Sequence, residues 1–237
     1  MRVINATSTT RPTSGRRPLT IAILPTLLFL AFGWTRAGVE KAFQSQWWNG
    51  EALQAWLTDH QEAALPLIKP IATNIFHPLA TPIGIGVMAV QILIGIAFIT
   101  GRQMRPALLT ALLLNVTFVA MGAISPSAFY IAIQISLLAA VDRGWLGASS
   151  RQPSRFVAAA WAVGAIMPAP FIATVNPMSV IDDPAIVLTT LGLIAAFTEV
   201  LALVEAGDDR LSRLVAWRGF PRLVWSRDRI SGSGSRT

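Results

Sequence analysis

The chain has 237 residues, 53% of them hydrophobic and only 13% charged, with a mean hydropathy of +0.56 and a formal charge of +7. A soluble domain carries about 25% charged residues. The surface here cannot be clothed for water, and disordered, collagen-like and coiled-coil architectures are excluded on the same composition.

In chain order, residues 1–17 are a basic arm. The apolar residues then fall in six runs, at 18–41, 81–100, 106–124, 126–141, 155–175 and 184–205. A helix needs about 20 residues to cross a hydrocarbon core of about 30 Å. Runs one, two, five and six meet that length. Runs three and four are short and share a tight Ser125-Pro126-Ser127 connection. They read as a short transmembrane hairpin in locally thinned lipid, or as a partly re-entrant pair. Arginine in both flanking loops favours the hairpin. The amino-terminal run is too long for a secretory signal peptide, and no small-residue cleavage site follows it.

Proline marks the predicted helix starts. Pro18, Pro82, Pro106, Pro126 and Pro184 each stand where a first helical residue belongs, and a missing N–H costs nothing there. Thr81, Ser125, Ser154 and Asp183 are the matching N-cap candidates. The Asp182-Asp183 pair suits a cap favoured by the helix dipole better than a metal or proton site. Pro168 and Pro170 should kink the fifth span.

Charge sets the expected orientation. With six spans, sixteen of the nineteen basic residues fall on one side, and only Arg36, Lys41 and Lys69 lie at or beyond the other. The positive-inside rule then places both termini in the cytoplasm of a bacterial cell, with a multi-pass chain in the inner membrane. Residues 42–80 form the extracytoplasmic segment. Trp47, Trp48 and Trp56 suit an interfacial belt there, and 50–71 reads as one or two short helices on the outer face. The tail, 206–237, mixes arginine with Leu, Val, Trp and Phe. It reads as a basic amphipathic segment on the inner surface, broken at Pro221 and ending in a flexible SGSGSRT. The charge is therefore topological, and no nucleic-acid partner is expected.

The chain has no cysteine and only two histidines, His60 and His77. Disulfides, CxxC redox chemistry, cysteine-ligated clusters and thiol nucleophiles are excluded. A bis-histidine haem or a zinc cage is not expected, and no metal site is assigned. His77 reads as an interfacial histidine. No Walker loop, dinucleotide fingerprint or HExxH is present, and no repeat suggests an inverted-repeat transporter. Ionisable groups within spans are functional candidates. Arg36 and Glu40 are four apart on one helical face and can pair. Such a pair could hold a quinone carbonyl, an anion, or only the helix end. Gln91, Asn115, Thr117 and Gln134 are mid-span and suit interhelical hydrogen bonding. Glu199, about two turns from the inner end of the last span, should be neutral, paired or facing water. Beside a kinked fifth span it is the candidate gate or proton carrier of a small transporter or channel.

The stretch GWTRAGVEKAF followed by WWNGEALQAWL resembles the opening of the DoxX/DoxD-like membrane proteins. Gln91-Ile92-Leu93-Ile94-Gly95 running into Thr100-Gly101-Arg102, and Asn115 through Gly122, are similar to that family's second and third helices. The resemblance covers residues 18–143 and implies a four-helix membrane unit. Residues 155–205 then form a two-helix carboxy-terminal extension. The implied fold is all-α and integral to the membrane, with six transmembrane helices. DoxD relatives include a membrane subunit of thiosulfate:quinone oxidoreductase, and DoxX relatives are linked to oxidative-stress redox complexes. The resemblance implies a subunit of such a complex that anchors a partner redox enzyme, alone or as a homo-oligomer. Its quinone would be bound non-covalently. Arg36, Glu40, Lys41, Gln91 and Asn115 fall on the family's polar positions and form the candidate quinone-contacting cluster. No catalytic residue is assigned. Gln91 stands where many relatives have glutamate, which weakens a proton-transfer role. A non-catalytic membrane scaffold is the remaining alternative.

Overall fold

The computed structural model describes residues 18–144, 151–173 and 183–207, with side chains throughout except at 18–22 and 205. The basic arm, Asp182 and the tail beyond residue 207 lie outside the described residues. The described chain is 78% helical and contains no strand.

Helix α1 (Pro18–Ala42) is followed by the short α2 (Ser45–Trp48), α3 (Glu51–His60) and α4 (Lys69–Ile71). The last runs into a π turn over Ala72–Phe76. Then come α5 (Ala80–Thr100), α6 (Met104–Ala120), α7 (Ser127–Asp142), α8 (Arg155–Ile166) and α9 (Pro184–Glu205). Helices α5 and α9 are long and apolar enough to cross a membrane, judged by length and composition. Only 33% and 17% of their most apolar stretches are buried, whereas a core helix of a soluble protein is mostly covered. The outward faces are correspondingly greasy: Phe32, Leu93, Leu113 and Phe156 are all exposed.

Helix α1 packs along α5, α6 pairs with α7, and α8 pairs with α9. Helix α9 also rests on α6 and α7, so the last helix pair is built into the bundle rather than hung beside it. The α1–α5 seam works by close approach. A Cβ on Gly95 would collide with the Thr35 hydroxyl and stand 2.9 Å from the Thr35 amide nitrogen. Gly38 faces Ile92 and the Met88 carbonyl in the same way. Small residues of this kind let helix backbones meet without a gap.

Segment 42–80 caps one end of the bundle. Leu65 N donates to Ala120 O at 2.8 Å, and Gly122, at φ +92°, leaves room for Ala63. Trp47 and Trp56 pack inward on Leu53, Leu57 and Met121, while Trp48 is half exposed. The opposite end carries Arg102, Arg105, Arg143, Arg151 and Arg155.

Several expected boundaries move. The third span ends at Ala120 rather than 124, because residues 121–126 form the turn that meets the cap. The fifth is a helix only over Arg155–Ile166. Pro168 and Pro170 end it in a 3-10 turn, Ala169–Phe171, instead of kinking a continuous 20-residue span. Thr81 is not an N-cap, since α5 begins at Ala80; its hydroxyl donates instead to Asn49 O at 2.7 Å. Ser125 is displaced too, because α7 starts at Ser127 with Pro126 in the N-cap position. Pro106 lies within the first turn of α6, behind Gln103. Ser154 holds the N-cap position of α8 but makes no side-chain cap bond. Asp183 is a true cap, accepting from Ala185 N at 2.8 Å and Ile186 N at 3.3 Å.

Candidate functional site

Polar groups inside an apolar bundle must find partners or a ligand, since an unpaired buried group costs about 1–3 kcal/mol. Among the described residues five buried side-chain atoms have no partner, Trp34 Nε1, Gln91 Oε1 and Gln134 Nε2 among them. Trp34 hangs from α1, Gln91 from α5 and Gln134 from α7. Asn115 on α6 completes the group, donating through Nδ2 to Gln134 Oε1 at 3.2 Å. Gln91, Asn115 and Gln134 are all buried.

A cavity of about 230 Å³ opens between these helices. Trp34, Gln91, Asn115, Ser127 and Tyr130 line it, with Gly33 and Ala37 as the α1 wall. Gly33 keeps that wall thin: a Cβ there would stand 3.2 Å from the Tyr130 hydroxyl. Tyr130, the chain's single tyrosine, also meets Phe29 with ring centroids 6.0 Å apart, and Phe29 meets Phe129 at 6.4 Å. Phe29 and Phe129 are exposed, so the cavity is flanked by an aromatic group on the outer surface of the bundle. The chemistry is neutral. An indole N–H and a phenol can donate to a carbonyl, the free Gln91 Oε1 can accept from a hydroxyl, and no formal charge lines the walls. Drug-sized ligand sites hold roughly 300–1,000 Å³, so this cavity suits a headgroup with a tail left outside.

The five residues expected to form one cluster therefore divide. Gln91 and Asn115 line the cavity. Arg36 and Glu40 do make the i,i+4 pair, with Arg36 Nε 2.6 Å from Glu40 Oε1, but their side chains are 75% and 54% exposed. They stand on the outer surface of α1 and do not line the cavity. Lys41 bonds Ala37 O at 3.2 Å and lies 5.0 Å from the Trp47 ring centre, tying α1 to the cap. The reason is helical phase: Trp34 and Ala37 face inward, which turns Arg36 and Glu40 away.

A second polar cluster lies at the arginine-rich end. Arg105 Nε donates to Asp142 Oδ1 at 2.8 Å, and Arg151 stands 3.5 Å from Asp142 and 4.0 Å from Glu199. Glu199 Oε1 accepts from Ser154 N at 2.8 Å. Glu199 is thus paired at the start of α8. The expected juxtaposition with Pro168 and Pro170 does not occur, because those prolines end the same helix at its other extremity. Among the described residues no three His, Asp or Glu side chains are grouped as a metal site would require.

No family model, no curated protein and no solved structure matches the chain.

Sequence reasoning passed over Trp34, Tyr130, Asp142 and Arg151. Spacing about the hairpin turn was the available signal. Asn115 and Gln134 are nearly equidistant from Ser125, and so, less closely, are Arg105 and Asp142. Residues so placed face each other across two antiparallel helices.

Proposed function

We propose that the chain is a six-helix DoxX-like membrane protein that holds the carbonyl headgroup of a lipid-soluble quinone between α1, α5, α6 and α7. In this reading it is a subunit of a quinone-linked oxidoreductase or oxidative-stress redox complex, anchoring a soluble redox enzyme to a bacterial inner membrane. Helices α1, α5, α6, α7, α8 and α9 are the spans, and both termini are cytoplasmic. Two features support the membrane placement. The bundle exposes many large apolar side chains, Phe32, Leu93, Leu113 and Phe156 among them, unlike a soluble domain, and the arginines of the described loops gather at one end. Helices α6 and α7, 17 and 16 residues long, reach only about 25 Å, and α8, 12 residues long, only about 18 Å before its 3-10 turn. They are accommodated by local thinning of the bilayer.

The observation that carries the ligand assignment is the pair of unpartnered buried atoms, Trp34 Nε1 and Gln91 Oε1, on residues lining one cavity. The residues fit the group. Trp34 Nε1 would donate to a quinone carbonyl, Gln91 Oε1 would accept from the hydroxyl of the reduced quinol, Tyr130 would face the ring, and the isoprenoid tail would leave past Phe29 and Phe129 into lipid. Asn115, bonded to Gln134 behind it, forms the far wall. A bound quinone supplies the two-electron acceptor that this chain's own side chains lack, and electrons would come from the partner subunit. Arg36 and Glu40 have no contact with the headgroup in this arrangement and serve the outer interface instead.

The test is binding of a short-chain ubiquinone or menaquinone analogue to purified protein in mild detergent, by equilibrium dialysis. Trp34→Phe should weaken binding about tenfold, the loss of one hydrogen bond of about 1.4 kcal/mol. Undetectable binding to the wild-type chain would overturn the assignment.

A further inference from the structure

Four helix seams surround the quinone cavity, and three of them are packed shut. Helix α1 lies along α5, where Gly38 and Gly95 bring the backbones together. Helix α5 packs on α6, and α6 is tied to α7 through Asn115 and Gln134. The end facing residues 42–80 is covered too. Phe118 lines the cavity there, and the Trp56 ring stands edge-on to it with centroids 5.6 Å apart. The fourth seam differs. Among the described residues α1 and α7 form no extended packing seam. Both nevertheless line the cavity, α1 through Gly33, Trp34 and Ala37, and α7 through Ser127 and Tyr130.

Three aromatic rings close this fourth side. Phe29 of α1 and Phe129 of α7 are exposed on the surface of the bundle. Tyr130 stands behind them, its ring centroid 6.0 Å from that of Phe29 and 6.3 Å from that of Phe129. Of the three rings only Tyr130 lines the cavity, so it stands between the cavity and the surface pair. Its hydroxyl reaches across the seam to Gly33, where a Cβ would stand 3.2 Å from the oxygen. The closure is therefore the tip of one side chain set against a bare glycine backbone.

We propose that the α1–α7 seam is the entrance to the cavity from the lipid phase, with Tyr130 as its threshold, the residue that sets how fast a ligand enters and leaves. The inference rests on the quinone reading and adds the route to it. Turning the Tyr130 side chain opens the passage without parting any of the packed helix pairs. A ligand arriving this way is already dissolved in the bilayer. It enters head first between Phe29 and Phe129 and leaves its tail there. A flat, uncharged head suits the passage, because aromatic rings frame it and no charged side chain lines the cavity behind it.

A threshold and a simple wall contact differ in kinetics. Losing a contact raises the dissociation rate and leaves association nearly unchanged. Losing a threshold raises both rates together and leaves the affinity where it was. The experiment is stopped-flow binding and release of decylubiquinone with the full chain in mild detergent, followed by tryptophan fluorescence. Tyr130→Phe removes the hydroxyl that abuts Gly33 and keeps the ring. Both rate constants should rise at least fivefold, with Kd within twofold of wild type. A rise in dissociation alone overturns the proposal, as do two unchanged rates.

The cysteine-free chain allows a second test. Phe29→Cys combined with Phe129→Cys is loaded with decylubiquinone and then bridged by a short, reducible bis-methanethiosulfonate. Exchange with deuterated decylubiquinone should slow at least tenfold and recover on adding dithiothreitol. The single Phe129→Cys variant treated with the same reagent should exchange within twofold of its untreated form. Exchange that ignores the bridge overturns the proposal. If the double variant does not fold or bridge, the two rate constants of Tyr130→Phe decide alone. A wild-type chain that binds no decylubiquinone removes the quinone reading and the entrance with it. A chain that binds it and exchanges freely through the bridged seam removes only the entrance.

Discussion

Asn115 on α6 donates to Gln134 on α7 at 3.2 Å, both side chains buried, and this bond ties the α6–α7 hairpin together one helix away from Gln91. Replacing Asn115 with Leu strands the Gln134 amide, and the reverse change strands Asn115. Each single change should lower stability by about 1–3 kcal/mol. The double change to Leu should cost less than the sum, with a coupling of roughly 0.6–2 kcal/mol. Thermal unfolding in detergent across the four proteins measures it, and strict additivity would show that the two amides do not interact.

The α1–α5 seam makes a sharper steric prediction. Gly95→Ala places a methyl group against the Thr35 hydroxyl and backbone, so it should destabilise the bundle by about 1–3 kcal/mol. Gly86→Ala on the same helix meets open space and should be neutral or stabilising by up to about 1 kcal/mol. Melting temperatures of the two variants should therefore move apart. Equal shifts would mean that the close approach of α1 and α5 is not formed.

Asp183 joins two segments, capping α9 through Ala185 N and accepting from Ala173 N at 2.9 Å. Asp183→Ala should cost about 0.5–2 kcal/mol and expose the region around Phe171 to proteolysis. Asp183→Asn, which keeps an acceptor, should retain most of the stability. Limited proteolysis followed by mass mapping reads both.

The absence of cysteine turns topology into a direct experiment, since single cysteines can be introduced on a blank background. Cysteines at Ser45, Ser125 and Lys69 should react with a membrane-impermeant maleimide added outside intact cells. Cysteines at Arg102 and Ser154 should react only after permeabilisation. Labelling of both groups from one side would contradict the six-span arrangement.

Much of the helical layout was legible in the sequence. The ends of α1, α5 and α9 fall within one residue of the apolar runs that announced them, because nothing but helix suits 20 apolar residues flanked by polar loops. The short helices were legible as elements and not as boundaries. Residues 121–124 are as apolar as the helix before them, and only their packing on Ala63 and Leu65 shows that the chain has already turned. The Pro168 and Pro170 pair could kink a helix or end it, and local sequence does not choose. The candidate site was half legible. Gln91 and Asn115 announced themselves as amides in apolar runs. Arg36 and Glu40 drew attention by charge, yet the helical phase set by Trp34 and Ala37 turns them outward. Asp142 and Arg151 lie where loops begin, and their partnership needs the hairpin to be folded before it exists.

The central claim is that a carbonyl-bearing, lipid-soluble ligand sits between Trp34 and Gln91. It is tested most directly by extracting wild-type protein and the Trp34→Phe/Gln91→Leu double variant, purified in the same mild detergent, and quantifying quinones by mass spectrometry. Arg36→Gln serves as a control, since its side chain stands outside the cavity. The expected result is near-stoichiometric quinone in the wild-type and Arg36→Gln proteins and at least a tenfold loss in the double variant. Equal quinone in all three, or none in any, would contradict the assignment.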